Sequence, residues 1–335
     1  MTGSVVIGLS AVVIAIQDGE AVVLTVRPED LRTRRASVLP GLPSGPFDPV
    51  ARRTFELALR AFVTEQTGFE LGYVEQLYTF GDEGRDAPLA DLGGHHQPTD
   101  GRVVSVGYLA LAPGTPPARH DTEWSPWTRF FPWEDWRRGR PALIDERLVP
   151  ALTAWAGQTQ GEAAELRMAR IRLLFALDGA RWNEERVLDR YELLYEAGLA
   201  PEAARDRQRA SGDDAPEPSG FHPAFGEPMV SDHRRILATG LARLRGKLKY
   251  RPVVFELMRD AFTLSALQRT VEAIAGVSLH KQNFRRMVER TGLVEGLDRF
   301  DEETGGRPAE LFRFRREVLN AAPASGLSLP MLREG

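Results

Sequence analysis

The sequence predicts an α+β chain in three parts: an α/β/α sandwich over residues 1–156, a helical connector and linker over 157–230, and a winged helix-turn-helix over 231–325. Three observations predict it. In the first third, β-branched stretches surround a single amphipathic helical pattern. The middle third carries helical patterns with little strand signal. Near the end, two short helical stripes stand three residues apart and are followed by alternating apolar and basic residues, the pattern of a hairpin laid on a helix pair.

Val5 to Ile16 reads as a strand, Gln17-Asp18-Gly19-Glu20 as a hairpin turn, and Ala21 to Val26 as its antiparallel partner. Leu39-Pro40-Gly41-Leu42-Pro43 reads as loop. Val50 to Thr67 reads as a helix with Phe55, Leu59, Phe62 and Val63 on one side, stopped by Gly68. Val74 to Phe80 and Val103 to Leu111 are strand-like and enclose a polar, glycine-rich loop. That loop holds His95-His96, adjacent histidines without metal-ligand spacing. Arg27, Arg52 and Arg53 are candidate phosphate contacts, and Tyr78 or Phe80 a candidate stacking surface for a base.

Trp124, Trp127, Phe130, Phe131, Trp133 and Trp136 crowd together with Pro126 and Pro132, which rule out a regular helix; they are expected to form a packed cover over the first domain, or else a partner surface. Helical patterns follow at Arg147–Ala156, Glu162–Leu177 and Asn183–Ala197. The polar, proline-bearing tract from Ala210 to Gly220 cannot bury a core and reads as a linker. Asp232 to Tyr250 is a basic helix with Asp232 as its cap and Leu237, Leu241, Leu244 and Leu248 as its stripe. Seven Lys or Arg and no acid lie between Arg234 and Arg251, so Arg245, Lys247 and Lys249 are expected near a phosphate backbone.

Leu264, Leu267, Val271 and Ile274 define the first helix of the pair, with Thr263 as cap and Gly276 as stop. Gly276-Val277-Ser278 makes the turn, with Ser278 expected to cap a second helix over Leu279 to Arg290. Phe284, Met287 and Val288 share one face of it. Gln282 and Arg286 point the other way, flanked by Lys281, Asn283, Arg285 and Arg290, and such amide and guanidinium groups match base edges in a major groove. A solvated charged face is the plainer alternative. Leu293–Arg299 and Glu310–Arg316 read as strands around Gly305-Gly306, with Phe312 and Phe314 alternating with Arg313 and Arg315, so one face packs while the other touches phosphates.

The net charge of −4 conceals a division. From Asp232 to Arg316 there are 18 Lys and Arg against 11 Asp and Glu, a net +7, which leaves −11 for the remainder. There is no cysteine, which excludes disulfides and cysteine-ligated metal centres. No apolar run is long enough to span a bilayer and no signal-like start is evident, so a cytoplasmic location without membrane contact is expected.

Strand pair, loop, helix ending in Glu-x-x-Gly and further strands is the order of a Nudix domain, and the stretch up to Gly68 resembles a decayed Nudix box. With the last box glycine on Gly68, Phe47 stands at the first glycine, Arg53 at the first glutamate, Ala61-Phe62 at Arg-Glu, and Glu65-Gln66 at the acidic pair. Only Glu65 remains of the carboxylates that would hold Mg²⁺ on a diphosphate. Binding of a nucleotide-like ligand without hydrolysis is therefore expected, with no metal or cofactor required. A hydrolase of a nucleoside diphosphate derivative such as ADP-ribose is the alternative.

A broken Nudix box ahead of a winged helix resembles the Nudix-related transcriptional regulators of NAD metabolism, of the NrtR and NadQ type. The likeness is carried by His233-Arg234-Arg235-Ile236-Leu237, Arg251-Pro252-Val253-Val254-Phe255-Glu256-Leu257, Phe262-Thr263-Leu264, Asn283-Phe284-Arg285-Arg286 and Gly306-Arg307-Pro308-Ala309-Glu310-Leu311-Phe312-Arg313-Phe314. The resemblance implies a homodimeric repressor of NAD biosynthesis genes on double-stranded DNA with a palindromic operator. Its effector would be ATP, NAD or ADP-ribose. Asn283, Arg285 and Arg286 would lie in the recognition helix and Arg307 in the wing.

Overall fold

The computed structural model describes residues 4–27, 29–30, 35–36, 39–82, 101–115, 121–211, 221–301 and 308–317. His95-His96, Gly305-Gly306, Arg307 and most of the proline-bearing tract lie outside them.

β1 (Ser4–Gln17) and β2 (Glu20–Val26) form the expected hairpin. Asp18 and Gly19 both take positive φ, 51° and 80°, as a two-residue turn between right-twisted strands demands. A short ribbon of β3 (Glu29–Asp30) and β4 (Arg35–Ala36) follows, and then β5 (Ser44–Pro46), which pairs with β1. α1 (Phe55–Thr67) is shorter than the expected helix. Thr54, in extended conformation, caps it by accepting from Leu57 N, while the Asp48 carboxylate takes the Val50 and Ala51 amides and turns the preceding residues. Gly68, at φ 72°, ends it.

β6 (Tyr73–Phe80), β7 (Gly101–Leu111) and β8 (Thr122–Pro126) complete the sheet in the order β6-β7-β1-β2-β8, with β7 parallel to β1. β8 departs from the sequence expectation, in which Trp124 and Pro126 belong to the aromatic cover. The sheet is covered on both faces, and the strands alternate accordingly. Leu9, Ala11, Val13 and Ala15 face α1, whereas Val12 and Ile14 face the other layer.

That second layer begins with the aromatic segment. Trp127, Phe130, Phe131 and Trp133 are fully buried, so they are an interior rather than a partner surface. A π-helical turn at Ile144–Leu148 leads into α2 (Val149–Ala156), followed by α3 (Glu162–Leu174), α4 (Val187–Glu196) and α5 (Glu202–Ala210). α5 lies where the sequence reading ran from connector toward linker.

α6 (His233–Tyr250) lies against this same sheet face. Gly240 lets it approach β1 so closely that a Cβ would meet Val12 at 2.9 Å, and Gly107 of β7 leaves room for Ile236 and Phe80. Asp232 starts the helix but makes no side-chain cap. The loop Leu39–Pro43 is clamped between the sheet and this helix start: Val26 and Gly41 bridge, Val230 N donates to Pro40 O, and Leu42 N donates to His233 Nδ1 at 2.9 Å.

A 3-10 turn (Val253–Leu257) and β9 (Phe262–Thr263) lead to α7 (Leu264–Ala275) and α8 (Lys281–Thr291), and β10 (Val294–Asp301) and β11 (Ala309–Phe314) form the wing. β9 adds a third strand through Leu311 opposite Thr263. Phe314 stacks on Phe255 at 4.2 Å, fixing the wing to the helices. One apolar cluster runs from Val12 and Ile14 of the sheet through the aromatic segment and α6 to Phe284 and Val288 of α8. At about 1.5–3 kcal/mol per buried large apolar side chain, this continuous core sets the posture of the winged element.

Candidate functional site

α7 follows the sequence reading closely. Thr263 accepts from Ala266 N at 3.1 Å, Leu264, Leu267, Val271 and Ile274 are buried, and Gly276 at φ 69° ends the helix. The turn is longer than expected, and Ser278 does not cap α8. Its hydroxyl donates to the Arg137 carbonyl instead, at 2.6 Å. Leu279 is fastened to α7 on both sides, its amide donating to Glu272 Oε1 and its carbonyl accepting from Gln268 Nε2, each at 2.8 Å. The second helix therefore starts at Lys281 with His280 as its capping residue.

Phe284 and Val288 anchor α8 from below, with Met287 half-buried. Lys281, Gln282, Asn283, Arg285, Arg286 and Arg290 are all exposed on the remaining surface. Arg286 Nη2 donates to Asn283 Oδ1 at 2.5 Å, so an amide and a guanidinium one turn apart hold each other in orientation. Such a pair presents donors and an acceptor at once, the groups that base edges in a major groove complement. On the wing, Arg313 is exposed and ion-paired with Glu295, so its charge is already half-occupied.

The basic helix α6 does not reach this surface. Arg245 is 1% exposed: its Nη1 contacts Glu134 Oε2 at 2.6 Å and its Nε donates to the Ile274 carbonyl at 2.8 Å. Glu134, itself buried, also receives Arg190, Nε to Oε1 at 2.5 Å and Nη2 to Oε2 at 2.8 Å. The result is a buried Arg–Glu–Arg node joining the aromatic segment, α4 and α6 to the C-terminal carbonyls of α7. Trp127 adds a bond to Ala273 O at 3.2 Å. Gly276 belongs to the node as well, since a Cβ there would overlap the Glu134 carbonyl oxygen.

Lys247 is ion-paired with Glu75 and hydrogen-bonded to the Tyr73 hydroxyl at 3.1 Å; Lys249 is ion-paired with Glu185 and, at 3.0 Å, Glu184. Burial alone lowers both ammonium groups, but these carboxylate and hydroxyl partners more than reverse it, and both sit above the ordinary lysine range. The three α6 residues expected near a phosphate backbone are each paired with an acid of the protein itself. The sequence showed a charge run; the acids that neutralise it come from distant segments.

On the sheet side, Arg52 and Arg53 are exposed just ahead of α1, and Arg27 is exposed at the end of β2. Glu65 is exposed on α1. Beside it, Gln66 spends both ends of its amide on one backbone: Nε2 donates to Ser44 O at 2.7 Å and Oε1 accepts from Ser44 N at 3.3 Å. A carboxylate could not donate, so the amide at this acidic position is fitted to locking β5 onto α1. Tyr78 is 65% exposed on the edge strand, but Phe80 is 2% exposed within the core, 5.4 Å from the Arg235 guanidinium, and cannot receive a base. Among the described residues no cluster of three or more His, Asp or Glu is placed to hold a metal ion, and no helix is long and apolar enough to cross a membrane.

Residues 254–314 match the family model of the NrtR DNA-binding winged helix domain. The ADPR responsive transcriptional repressor NtrR of Acinetobacter baylyi is 41% identical over 86 residues, 26% of this chain and 34% of that protein, so the match spans about a third of the curated relative. Shewanella oneidensis NrtR complexed with a 27mer DNA superposes with a TM-score of 0.50 at 20% identity, covering 94% of this chain and 95% of that one. A MutT/nudix family protein from Enterococcus faecalis does so with a TM-score of 0.50 at 15% identity, covering 94% and 88%. At these identities the superpositions speak to fold. Residues 254–314 are thus similar to the NrtR DNA-binding winged helix, and over the rest of the chain the likeness to the solved structures is one of fold.

Proposed function

We propose that the chain is a DNA-binding transcriptional repressor of NAD biosynthesis genes whose Nudix-like domain senses ADP-ribose without hydrolysing it. One observation carries the reading: the exposed amide and guanidinium face of α8 falls inside the stretch that matches the NrtR winged helix model. The name of the Acinetobacter baylyi relative favours ADP-ribose among the three expected effectors; ATP and NAD have no comparable support. The reading of silence toward hydrolysis is supported by the acidic pair of the box, where an amide, Gln66, is bound to Ser44.

In this reading the sensing unit is the whole sandwich with α6 as its second layer, and the DNA-binding unit begins at about Val254. A homodimer would set two copies of α8 on half-sites about one helical turn, or a multiple, apart, so the operator is palindromic. ADP-ribose changes affinity only through unequal binding to the DNA-competent and incompetent forms.

Selection of duplexes from random sequence, repeated with ADP-ribose, tests this. The expected product is a two-fold symmetric motif whose retention depends on ADP-ribose; recovery of unrelated sequences would sink the proposal. Separately, incubation with ADP-ribose and Mg²⁺ is expected to yield no turnover. Hydrolysis near one per second that disappears in Glu65→Gln would restore the hydrolase alternative.

A further inference from the structure

The loop Trp136-Arg137-Arg138-Gly139-Arg140 follows the aromatic segment, far in sequence from the winged helix, yet it is bonded to the turn between α7 and α8. The Trp136 amide donates to the Gly276 carbonyl at 2.6 Å, and the Ser278 hydroxyl donates to the Arg137 carbonyl at 2.6 Å. These two bonds fall at the start and the middle of the turn that delivers the chain to Lys281.

The three arginines of the loop have different fates. Arg137 is held by Asp135 and by Glu20 of the β1–β2 hairpin. Arg140 is held by Asp145 and donates to the Phe175 carbonyl at 2.8 Å. Arg138 is exposed, and among the described residues it has neither hydrogen bond nor ion pair. Gly139 beside it, at φ 94°, has open space around it. His280 and Lys281, at the end of the turn to which the loop is bonded, are exposed as well.

We propose that this loop is a second DNA-contacting element and that Arg138 grips a backbone phosphate beside the groove entered by α8. The inference rests on the reading of the chain as a duplex binder. In a helix-turn-helix complex the second helix lies in the groove while the first crosses the backbone, so a segment bonded to the turn between them lies along the backbone. The charge there is the one phosphates attract, and such a contact adds affinity without reading sequence. Through Arg137 and Glu20 the loop is anchored to the sheet, so the sensing domain itself touches the operator.

The test is the salt dependence of binding by the full chain to its selected duplex and to a scrambled one, for the parent and for Arg138→Gln, Arg138→Lys and Arg172→Gln. Arg172 is an exposed cation on α3 paired with Asp178, and serves as the control for net charge. In Arg138→Gln the slope of log affinity against log salt is expected to be shallower by about 0.9. Affinity falls by the same factor on both duplexes, Arg138→Lys returns the parental slope, and Arg172→Gln matches the parent. A parent that binds while Arg138→Gln keeps its slope and affinity overturns this inference and leaves the proposed function standing. Equal losses in Arg138→Gln and Arg172→Gln overturn it too. A parent that binds no duplex overturns the function, and this inference with it.

Discussion

Two helices of this chain are strongly basic, and they use their charge in opposite ways. α6 carries six Lys or Arg and no acid, which from composition alone makes it the stronger candidate for a phosphate backbone. Each of those six cations is paired with an acid from elsewhere in the chain. Arg234 meets Glu202, Arg235 meets Asp82 and Glu192, Arg243 meets Glu75, Arg245 meets Glu134, Lys247 meets Glu75, and Lys249 meets Glu184 and Glu185. α8 mixes signs, carrying Glu289, but turns its cations outward. A run of like charge tells where counter-charge is needed; whether protein or nucleic acid supplies it depends on burial, which local sequence does not state.

The contrast is most exposed to test at Glu134. Removing it leaves Arg190 and Arg245 buried without their shared carboxylate, and breaking a buried ion pair by deleting one partner costs about 3–5 kcal/mol. Glu134→Ala is expected to lower the denaturant midpoint accordingly and, through the loosened end of α7, to weaken DNA binding. Wild-type stability in that variant would mean that α6 is not tied to α7 by charge.

A second test concerns the first residue of α6. Burial, reinforced by the nearby Arg205 charge, holds the His233 imidazole down at about 4 against an ordinary 6.5, and its Nδ1 accepts the Leu42 amide. Above pH 6.5 both folded and unfolded chains hold it neutral, so it has no pH effect. As pH falls from about 6.5 toward 4 the unfolded chain takes up the proton and the folded one does not, so stability declines, at about 1.4 kcal/mol per pH unit at most. Urea midpoints at pH 7 and pH 5 are expected to differ in the parent and to draw together in His233→Asn, whose amide oxygen can take the same bond. An equal decline in both would place the sensitivity elsewhere.

Much of the fold was legible because it rests on local patterns: the Asp18-Gly19 turn, the β-branched run of β1, the stop at Gly68, the stripe of α7. The outward face of α8 was legible for the same reason, since Phe284 and Val288 orient the helix and so define what remains exposed. What was not legible depends on partners far along the chain. Glu134 lies 56 residues from Arg190 and 111 from Arg245, and no periodicity links them. Ser278 reads as a helix cap by residue type, yet its hydroxyl goes to a carbonyl 141 residues away. Phe80 and Tyr78 look alike as stacking candidates, and only the strand's pairing decides that one is interior and the other exposed.

On α8 the comparison is sharpened by Arg286→Ala. Under the proposed function, loss of this guanidinium is expected to cost about 1–3 kcal/mol on the selected duplex and to relax preference at one position of each half-site. Selection with the variant reads both. A uniform loss on every sequence would make Arg286 a phosphate contact instead.

The smallest expected effect lies on the other helix and bears most directly on the comparison. Lys249→Gln removes a cation that composition alone would assign to DNA, but Glu184 and Glu185 already neutralise it within the protein. Such a pair exchanges one screened interaction for water, so DNA affinity and its salt slope are expected to match the parent at every ionic strength. A slope shallower by about 0.9 would mean that the carboxylates release Lys249 when the duplex arrives. In that case α6 would belong to the interface after all, and its charge run would be a reserve opened by binding rather than a frame closed on folding.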